Sequence, residues 1–193
     1  SLGSVSVICS DKTGTLTQNK MTVEDIYIGG EVLKPDQLDL GNQLHRYLLY
    51  DAVLNNDSSL KDGKSIGDPT ESALLEMYRK VPGIDLGNNQ LGLSENDLRG
   101  LLTRQQEVPF DSDRKLMSTK HLIHTVPTIF VKGAIDVLLD RWDNIRIGDE
   151  VRPITDEDRK KILAQNEHFS ENGLRVLTFA YKEKDEDLTP ETE

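Results

Sequence analysis

The chain has 193 residues, of which 30% are charged and 5% aromatic, with a formal net charge of −11. This length fits one domain of ordinary size, or one domain with a fragment of another. No run of the sequence approaches the roughly 18 apolar residues that span a bilayer, and no signal-peptide pattern opens the chain. The acidic balance argues against nucleic-acid binding, which needs a basic surface, and the single cysteine, Cys9, excludes an internal disulfide. We expect a soluble protein from a reducing compartment.

The first predicted element is a short apolar strand at residues 5–9, followed by a loop suited to phosphate chemistry. Asp11 lies at the carboxyl end of this strand, where ligands collect at the edge of an α/β sheet. Small hydroxylated residues and a glycine follow at 13–17, so backbone amides and hydroxyls can close around a tetrahedral anion. The Asp11 carboxylate could therefore accept a phosphoryl group as a nucleophile. Lys12 could offset the negative charge, and Mg²⁺ would bring the two anions together.

The next segment predicts a hairpin followed by a helix. Apolar and polar residues alternate over 21–32, and Gly29 with Gly30 interrupts them as a turn. Helical spacing follows between residues 35 and 55, and Asn55 begins the polar run that ends the helix. The spaced positions of this helix are Leu44, Tyr47, Leu48, Asp51 and Ala52.

A second helix begins at a clear start signal. Asp68 is the predicted N-cap, Pro69 takes the first helical position, and Glu71 completes a capping box. The predicted buried stripe consists of Leu74, Met77, Tyr78 and Val81. Residues 83–92 are polar and contain glycine, which predicts an exposed excursion.

The middle of the chain predicts a short helix and three strands, at residues 94–104, 107–110, 116–123 and 128–132. A tight turn at 111–113 joins the first two strands. Gly133 lets the chain bend sharply from the third strand into another helix. The predicted inner face of that helix is formed by Ile135, Leu138, Leu139 and Trp142.

A long charged helix and a central strand complete the predicted elements. Residues 154–158 cap the helix, and Asn172 with Gly173 stops it. The strand at 174–181 is apolar on both faces, which is typical of a strand inside a sheet. Together the elements predict an α+β fold, with an antiparallel β-sheet flanked by helices.

The loop after the first strand carries a string specific to one family. Residues 10–17 read Ser-Asp-Lys-Thr-Gly-Thr-Leu-Thr, which resembles the phosphorylation motif of the P-type ATPases, and residues 8–9 and 18–22 also resemble its cation pumps. By this resemblance Asp11 would be the phosphorylated aspartate, and Asp11 and Thr13 would bind Mg²⁺. The catalytic residues that the resemblance implies are Asp11, Lys12, Thr13 and Thr15.

Thr13 separates the pumps from the related haloacid-dehalogenase phosphatases. Those phosphatases usually carry an aspartate two residues after the nucleophile, which protonates the leaving group and then activates water. The threonine hydroxyl neither accepts nor releases a proton near neutral pH, as a general acid and base must. A phosphoenzyme formed on Asp11 should then persist until another domain supplies the water-activating carboxylate, as suits a transport ATPase. The alternatives are a stand-alone phosphatase of that type and a non-catalytic module, which would either bind a nucleotide or serve only regulation or interaction.

Four further strings resemble the nucleotide site of the pumps, at residues 67–71, 109–118, 132–134 and 173–177. The ATP-binding residues that they imply are Glu71, Phe110, Lys115, Lys132, Gly133 and Arg175. Phe110 would stack on the adenine with Lys115 beside the nucleotide, whereas the simpler alternative is a core phenylalanine at a strand end. Ser112 stands where the family often has an arginine that reaches the phosphates.

The other implied ligand residues also have structural alternatives. Lys132 would lie at the bottom of the adenine pocket, although a lysine that ends an apolar strand is usually at the surface. Gly133 would let backbone and ligand approach closely. Glu71 would lie near the adenine amino group, and it also fits a helix cap. Arg175 would reach the phosphates, since leaving a charge unpaired in an apolar strand is unfavourable.

The resemblance covers nearly the whole chain but only the middle of a pump. It implies a fragment of the Rossmann-like phosphorylation domain at residues 1–20, the nucleotide-binding domain at 21–182, and an acidic hinge at 183–193. We therefore expect the ATP-binding, cytoplasmic part of a membrane-integral cation pump, of the calcium type by the form of residues 67–71. Its partners would be ATP, Mg²⁺ and the membrane, actuator and phosphorylation domains of the same pump. Alone, the chain would bind ATP without turnover.

Overall fold

A computed structural model describes residues 2–12, 21–62, 64–82, 94–147 and 150–192, and for residues 2–12, 146 and 147 it describes the backbone path. Its strands are β1 Leu2–Lys12, β2 Met21–Ile28, β3 Glu31–Leu33, β4 Ser59–Lys61, β5 Lys64–Ile66, β6 Gln106–Asp111, β7 Leu116–Ile123, β8 Val126–Gly133, β9 Trp142–Ile147, β10 Glu150–Pro153 and β11 Arg175–Glu183. Its helices are α1 Gln43–Leu54, α2 Pro69–Arg79, α3 Glu95–Leu101, α4 Ile135–Asp140 and α5 Asp156–Glu171, with a 3₁₀ turn at Pro35–Gln37.

Most strands belong to one sheet with the order β10-β9-β1-β11-β8-β7-β6, and β2 pairs with both β1 and β3. Neighbouring strands run antiparallel, apart from a short parallel pairing of β1 with β9. Because β11 lies between β1 and β8, the prediction of a central final strand is confirmed. The predicted α+β class, an antiparallel sheet flanked by helices, is confirmed as well.

The alternation of side chains along the strands divides the core between the two faces of the sheet. In β8, Phe130 packs in the cluster beneath α1, α2 and α3, whereas Ile129 and Val131 pack in the cluster with α4 and α5. In β11, Phe179 and Ala180 repeat this division. Helices therefore cover both faces, and burial of apolar side chains holds each helical layer on the sheet.

The first predicted hairpin and helix are present, with one change of boundary. β2 and β3 pair, and Gly29 and Gly30 between them adopt positive φ angles, as the turn requires. α1 begins at Gln43 rather than near residue 35, because the side chain of Asn42 caps the helix by accepting bonds from backbone amides of its first turn.

The start of α2 follows the predicted cap but not the predicted capping box. Asp68 accepts a bond from the amide of Thr70 at 3.2 Å, and Pro69 is the first helical residue. The carboxylate of Glu71 instead accepts a bond from the amide of Asp57 at 3.1 Å. The capping-box role of Glu71 is therefore wrong, because its carboxylate is held by groups distant in sequence. The predicted buried stripe is confirmed at Leu74, Met77, Tyr78 and Val81.

The helix predicted after β8 is shorter than its apolar spacing indicates. α4 ends at Asp140, and Trp142 begins β9, where it pairs with Leu2 of β1. The placement of Trp142 on the helix face is therefore wrong, although it is buried in the same cluster as Leu138 and Leu139. A helix and a strand can bury the same apolar residue, and the available partner strand decides between them. The patterns also fail to predict two short hairpins, β4–β5 and β9–β10.

Beyond β11, residues 184–192 turn back over the face opposite α1. The ammonium of Lys120 donates to the carbonyl of Glu186 at 2.7 Å, and the amide of Leu188 donates to the side chain of Gln106 at 2.8 Å. Leu188 joins the cluster formed by α4 and α5. Of the helices that the structure describes, none combines the length and apolarity needed to cross a membrane. The excursion predicted at 83–92 lies outside the described residues.

Candidate functional site

A buried ion pair between α2 and β8 forms the centre of the candidate site. The Nζ of Lys132 lies 2.6 Å from Oε2 of Glu71, and the two side chains are 7% and 14% exposed. Lys132 is the penultimate residue of β8, and Glu71 lies in the first turn of α2. The alternative of a surface position for Lys132 is therefore wrong.

The loop that follows α1 holds Glu71 in place. The amide of Asp57 donates to the Glu71 carboxylate, and the side-chain amide of Asn56 donates to the Glu71 carbonyl at 2.8 Å. The loop can approach α2 because Gly67 lacks a side chain: a Cβ there would lie 2.5 Å from Oγ of Ser58. The start of α2 and this loop thus form one packed unit around Glu71.

Gly133 allows the end of β8 to pack against the start of β7. A Cβ at Gly133 would lie 2.2 Å from the carbonyl oxygen of Lys115 and 2.6 Å from Cδ2 of Leu116. The Lys115 carbonyl also accepts a bond from the amide of Ala134 at 3.2 Å. Backbone packing is therefore sufficient to require glycine here, and the predicted ligand contact at Gly133 stays a prediction.

Phe110 and Lys115 flank the turn between β6 and β7. Phe110 is 62% exposed, so the alternative of a core phenylalanine is wrong. Lys115 is exposed and has a φ of 61°, in the left-handed region. Arg114 holds the turn by donating to the carbonyls of Pro109 at 2.8 Å and Leu116 at 2.7 Å. The turn thus presents an aromatic ring and a lysine to solvent.

The strand register gathers the predicted adenine-site residues at one end of the sheet. β7 pairs Leu116 with Gly133 and Met117 with Lys132. β6 pairs Asp111 with Leu116, so the neighbouring strand end carries the aromatic residue. The residues that meet at these ends are Phe110, Lys115, Lys132 and Gly133.

Arg175 lies apart from this group, beside the predicted phosphorylation loop. It begins β11 and pairs with Ser10 of β1, the residue before Asp11. Because Arg175 is exposed, the argument that burial of an unpaired charge gives Arg175 a ligand role is wrong, and its contact with the phosphates stays a prediction. The parts of the predicted catalytic loop that lie outside the described residues are the side chains of Asp11 and Lys12 and the whole of Thr13 and Thr15.

Asp51 is a buried acidic residue next to the site, and the sequence analysis placed it only on a helix face. It is 2% exposed in α1, and the side-chain amide of Asn55 donates to it at 3.1 Å. Burial raises the pKa of Asp51 well above its usual range, and the positive charge of Lys132 opposes this rise. A carboxylate at an apolar-spaced helix position was the signal that could have identified it.

The described residues contain no group of three or more His, Cys, Asp or Glu side chains positioned to hold a metal ion. The predicted Mg²⁺ site at Asp11 and Thr13 falls outside the described side chains. Carboxylate and threonine oxygens are the donor type that Mg²⁺ prefers, so the donor chemistry fits, and the site stays a prediction.

Comparison with known protein families identifies the family in which these features occur together. Residues 45–193 match the family model described as P-type ATPase, cytoplasmic domain N. The chain belongs to this family. The resemblance inferred from the phosphorylation string and the four nucleotide-site strings is thereby confirmed.

Several relatives of this chain are proteins named as calcium-transporting ATPases. The calcium-transporting ATPase of Listeria monocytogenes is 44% identical over 191 residues, which cover 97% of this chain and 21% of that protein. Calcium-transporting ATPase 1 of Lactococcus lactis is 46% identical over 94% of this chain and 20% of that protein. Calcium-transporting ATPase 1 of Bacillus cereus is 41% identical, over 94% and 19% respectively. The chain therefore spans about a fifth of the length of these relatives.

Proposed function

We propose that this domain N chain is the ATP-binding part of a pump that couples ATP hydrolysis to calcium transport across a membrane. Its relatives that are 41–46% identical are named as calcium-transporting ATPases, which supports the calcium type. The rest of the same polypeptide would supply the membrane, actuator and phosphorylation domains.

The observation that carries the ATP-binding proposal is the buried Glu71–Lys132 pair together with an exposed aromatic ring at the same end of the sheet. Removing two charges from water is costly, and apolar residues would often serve stability equally well. Leaving a phenylalanine in solvent also forgoes the stabilisation that its burial would bring. Both features are expected where a ligand with an aromatic face and a polar edge completes the contacts. Adenine is such a ligand, with Phe110 on its face and Glu71 at its amino group.

The position of Arg175 supports a site that extends from the adenine towards Asp11. Phe179 pairs with Lys132, and the strand from residue 179 to 175 covers roughly 13 Å at about 3.3 Å per residue. Arg175 lies at that distance from the adenine end and next to Ser10. A nucleotide lying along this path would direct its terminal phosphate to Asp11, with Lys115 and Arg175 as the cations along the phosphates.

The chemistry proposed at Asp11 is in-line phosphoryl transfer. A carboxylate oxygen of Asp11 forms a bond to the γ-phosphorus while the bond to the bridging oxygen breaks, and ADP leaves. Lys12 and Thr15 would stabilise the transferring group. Mg²⁺, when bound at Asp11 and Thr13, would neutralise part of the phosphate charge. Thr13 offers no general base, so the aspartyl-phosphate would persist.

Nucleotide binding can be tested by NMR on the isotope-labelled chain titrated with a non-hydrolysable ATP analogue. We expect resonances of Phe110, Lys132 and Gly133 to shift. Phe110→Ala should weaken binding by about five- to 150-fold, because stacking of a base on an aromatic side chain contributes roughly 1–3 kcal/mol. Its folding should be unaffected, since the ring is exposed.

The matched control is Val151→Ala, which also trims an exposed apolar side chain but lies on β10 at the far edge of the sheet. It should bind the analogue as the unmodified chain does. If millimolar analogue shifts none of the three resonances, the proposed function is wrong.

Turnover distinguishes the proposal from its alternatives. The chain should release no phosphate from ATP and should not hydrolyse p-nitrophenyl phosphate. Sustained hydrolysis of either compound would favour a phosphatase of the haloacid-dehalogenase type. Equal unfolding temperatures with and without ATP would favour a module without nucleotide function, because a ligand that binds the folded state stabilises it.

A further inference from the structure

A second carboxyl group lies buried next to the Glu71–Lys132 pair. Asp51 sits near the middle of α1 and is 2% exposed. Asn55, one turn further on, is fully buried and donates to Asp51 at 3.1 Å, and also to the carbonyls of Met117 at 3.0 Å and Phe130 at 3.4 Å. Since the amide of Asn55 is committed to β7 and β8, the Asp51 carboxyl is held against the strand that carries Lys132.

Each element that packs around Asp51 contributes charged or titratable groups near its carboxyl. β8 contributes Lys132, whose charge acts on the Asp51 carboxyl, and α2 contributes Glu71 through its ion pair with that lysine. Tyr47 of α1 and Tyr181 of β11 line, together with Asp51, a cavity of about 10 Å³. Within the described residues, Lys132 is therefore the cation available to two carboxyl groups.

The charge balance of this cluster favours a neutral Asp51 while the ion pair is closed. Glu71 already lies 2.6 Å from the ammonium of Lys132. A second carboxylate in the same poorly hydrated place would keep the hydrogen bond from Asn55 but would have no cation of its own, which is costly. Burial raises the pKa of Asp51 well above its usual range, although the bond from Asn55, the charge of Lys132 and the backbone of Val131 each oppose this rise.

We propose that Asp51 is a positioning residue of the nucleotide site. Asp51 keeps its proton while Lys132 is paired with Glu71. Asp51 releases that proton to solvent when a bound base engages the Glu71 carboxylate. The ionised Asp51 then becomes the counter-ion that holds the Lys132 ammonium under the base. This inference rests on the proposed function, because it requires Glu71 to contact the base. No covalent bond changes other than loss of the carboxyl proton to buffer.

Two consequences follow from linkage between proton release and binding. Nucleotide binding should liberate up to about one proton from the protein at neutral pH. Affinity should therefore increase with pH, by up to about tenfold per unit, over the range in which the free chain keeps Asp51 protonated and the complex does not.

Calorimetry of ADP binding in buffers of different ionisation enthalpy measures the proton count. The unmodified chain should release more protons than Asp51→Asn, which keeps an oxygen for the Asn55 bond but cannot ionise. Protons exchanged by the phosphates are common to both proteins and cancel in the difference. The matched control, Asp140→Asn, alters an exposed carboxylate on α4, across the sheet, and should release as many protons as the unmodified chain.

The carbon-13 resonance of the Asp51 carboxyl provides a readout that needs no variant. Upon ADP addition at neutral pH it should move from the protonated to the ionised position. If ADP binds with equal proton release in the unmodified chain and Asp51→Asn, or leaves the Asp51 resonance unchanged, the inference is wrong and the proposed function stands. If ADP does not bind, both are wrong.

Discussion

His121 illustrates how burial determines the protonation of a single residue. Its Nδ1 lies 2.8 Å from the carbonyl oxygen of Leu102, and its Nε2 lies 2.9 Å from Oγ1 of Thr119. A carbonyl can only accept, so Nδ1 carries the proton and donates, while Nε2 accepts from the threonine hydroxyl. Burial, with a smaller contribution from the charge of Arg104, lowers the pKa of His121 to about 4.

This histidine should make stability depend on pH. Its pKa falls from 6.5 to about 4 on folding, so the unfolded chain binds the extra proton between those values. The free energy of unfolding should then decrease as the pH falls from about 7 to 4.5, by up to about 3 kcal/mol from this residue. His121→Asn, which can still donate to Leu102, should lose that part of the decrease in urea denaturation. Equal decreases in both proteins would contradict the assignment.

At the scale of elements, α5 begins with a reciprocal capping box. Thr155 Oγ1 accepts from the Asp158 amide at 3.2 Å, and the Asp158 carboxylate accepts from the Thr155 amide at 2.9 Å, which closes a capping box. Arg152 donates to both carboxylate oxygens of Asp158, at 2.6 and 2.9 Å. These bonds, first of all those from Arg152, lower the pKa of Asp158 well below its usual range.

Removing this carboxylate should weaken α5. We expect Asp158→Ala to lower the free energy of unfolding at pH 7 by about 1–2 kcal/mol, as for other N-terminal capping groups. The folded-state pKa is depressed, so the contribution is present at neutral pH and is lost as acid protonates the native carboxylate. The difference between the two proteins should accordingly shrink in strong acid. Asp156→Ala, an exposed acidic neighbour outside the box, serves as the control and should change stability far less.

At the scale of the whole molecule, the sheet separates the proposed nucleotide site from residues 184–192. The ion pair and Asp51 lie with α1 and α2 on one face, whereas residues 184–192 lie with α4 and α5 on the other. The ammonium of Lys120, on β7, donates a hydrogen bond to the carbonyl of Glu186 in that segment. The segment predicted as a hinge is therefore packed onto the domain by apolar contact and by hydrogen bonds.

Leu188 makes the main apolar contact of this segment, and we expect its burial to hold the segment on the domain. Leu188 is 9% exposed, and Leu188→Ala should reduce the free energy of unfolding by about 2 kcal/mol, near the low end for buried leucines because it lies at the rim. Hydrogen exchange at the Leu188 amide should accelerate, since its bond to Gln106 depends on that docking. Leu163→Ala, at an exposed position of α5, is the matched control. Unchanged exchange in Leu188→Ala would show that the hydrogen bonds alone hold the segment.

The features that the sequence by itself determined depend on atoms a few residues apart. The cap at Asp68 bonds Thr70, two residues away, and the cap at Thr155 bonds Asp158, three residues away. The turn at residues 29–30 needs only the conformational freedom of glycine. The family could likewise be inferred from short contiguous strings, because a phosphate loop and a strand-end lysine each carry their chemistry locally.

Tertiary structure decided the features that depend on distant partners. Glu71 fits a capping box by spacing, yet it pairs with Lys132, 61 residues away. The spacing of Trp142 fits a helix face, but in the folded chain Trp142 belongs to a strand and pairs with Leu2 of β1. The exposure of Phe110 and the burial of Asp51 follow from which elements pack over each side chain. Local patterns report bonding within a turn or two, whereas burial and charge pairing depend on surfaces that only the folded chain brings together.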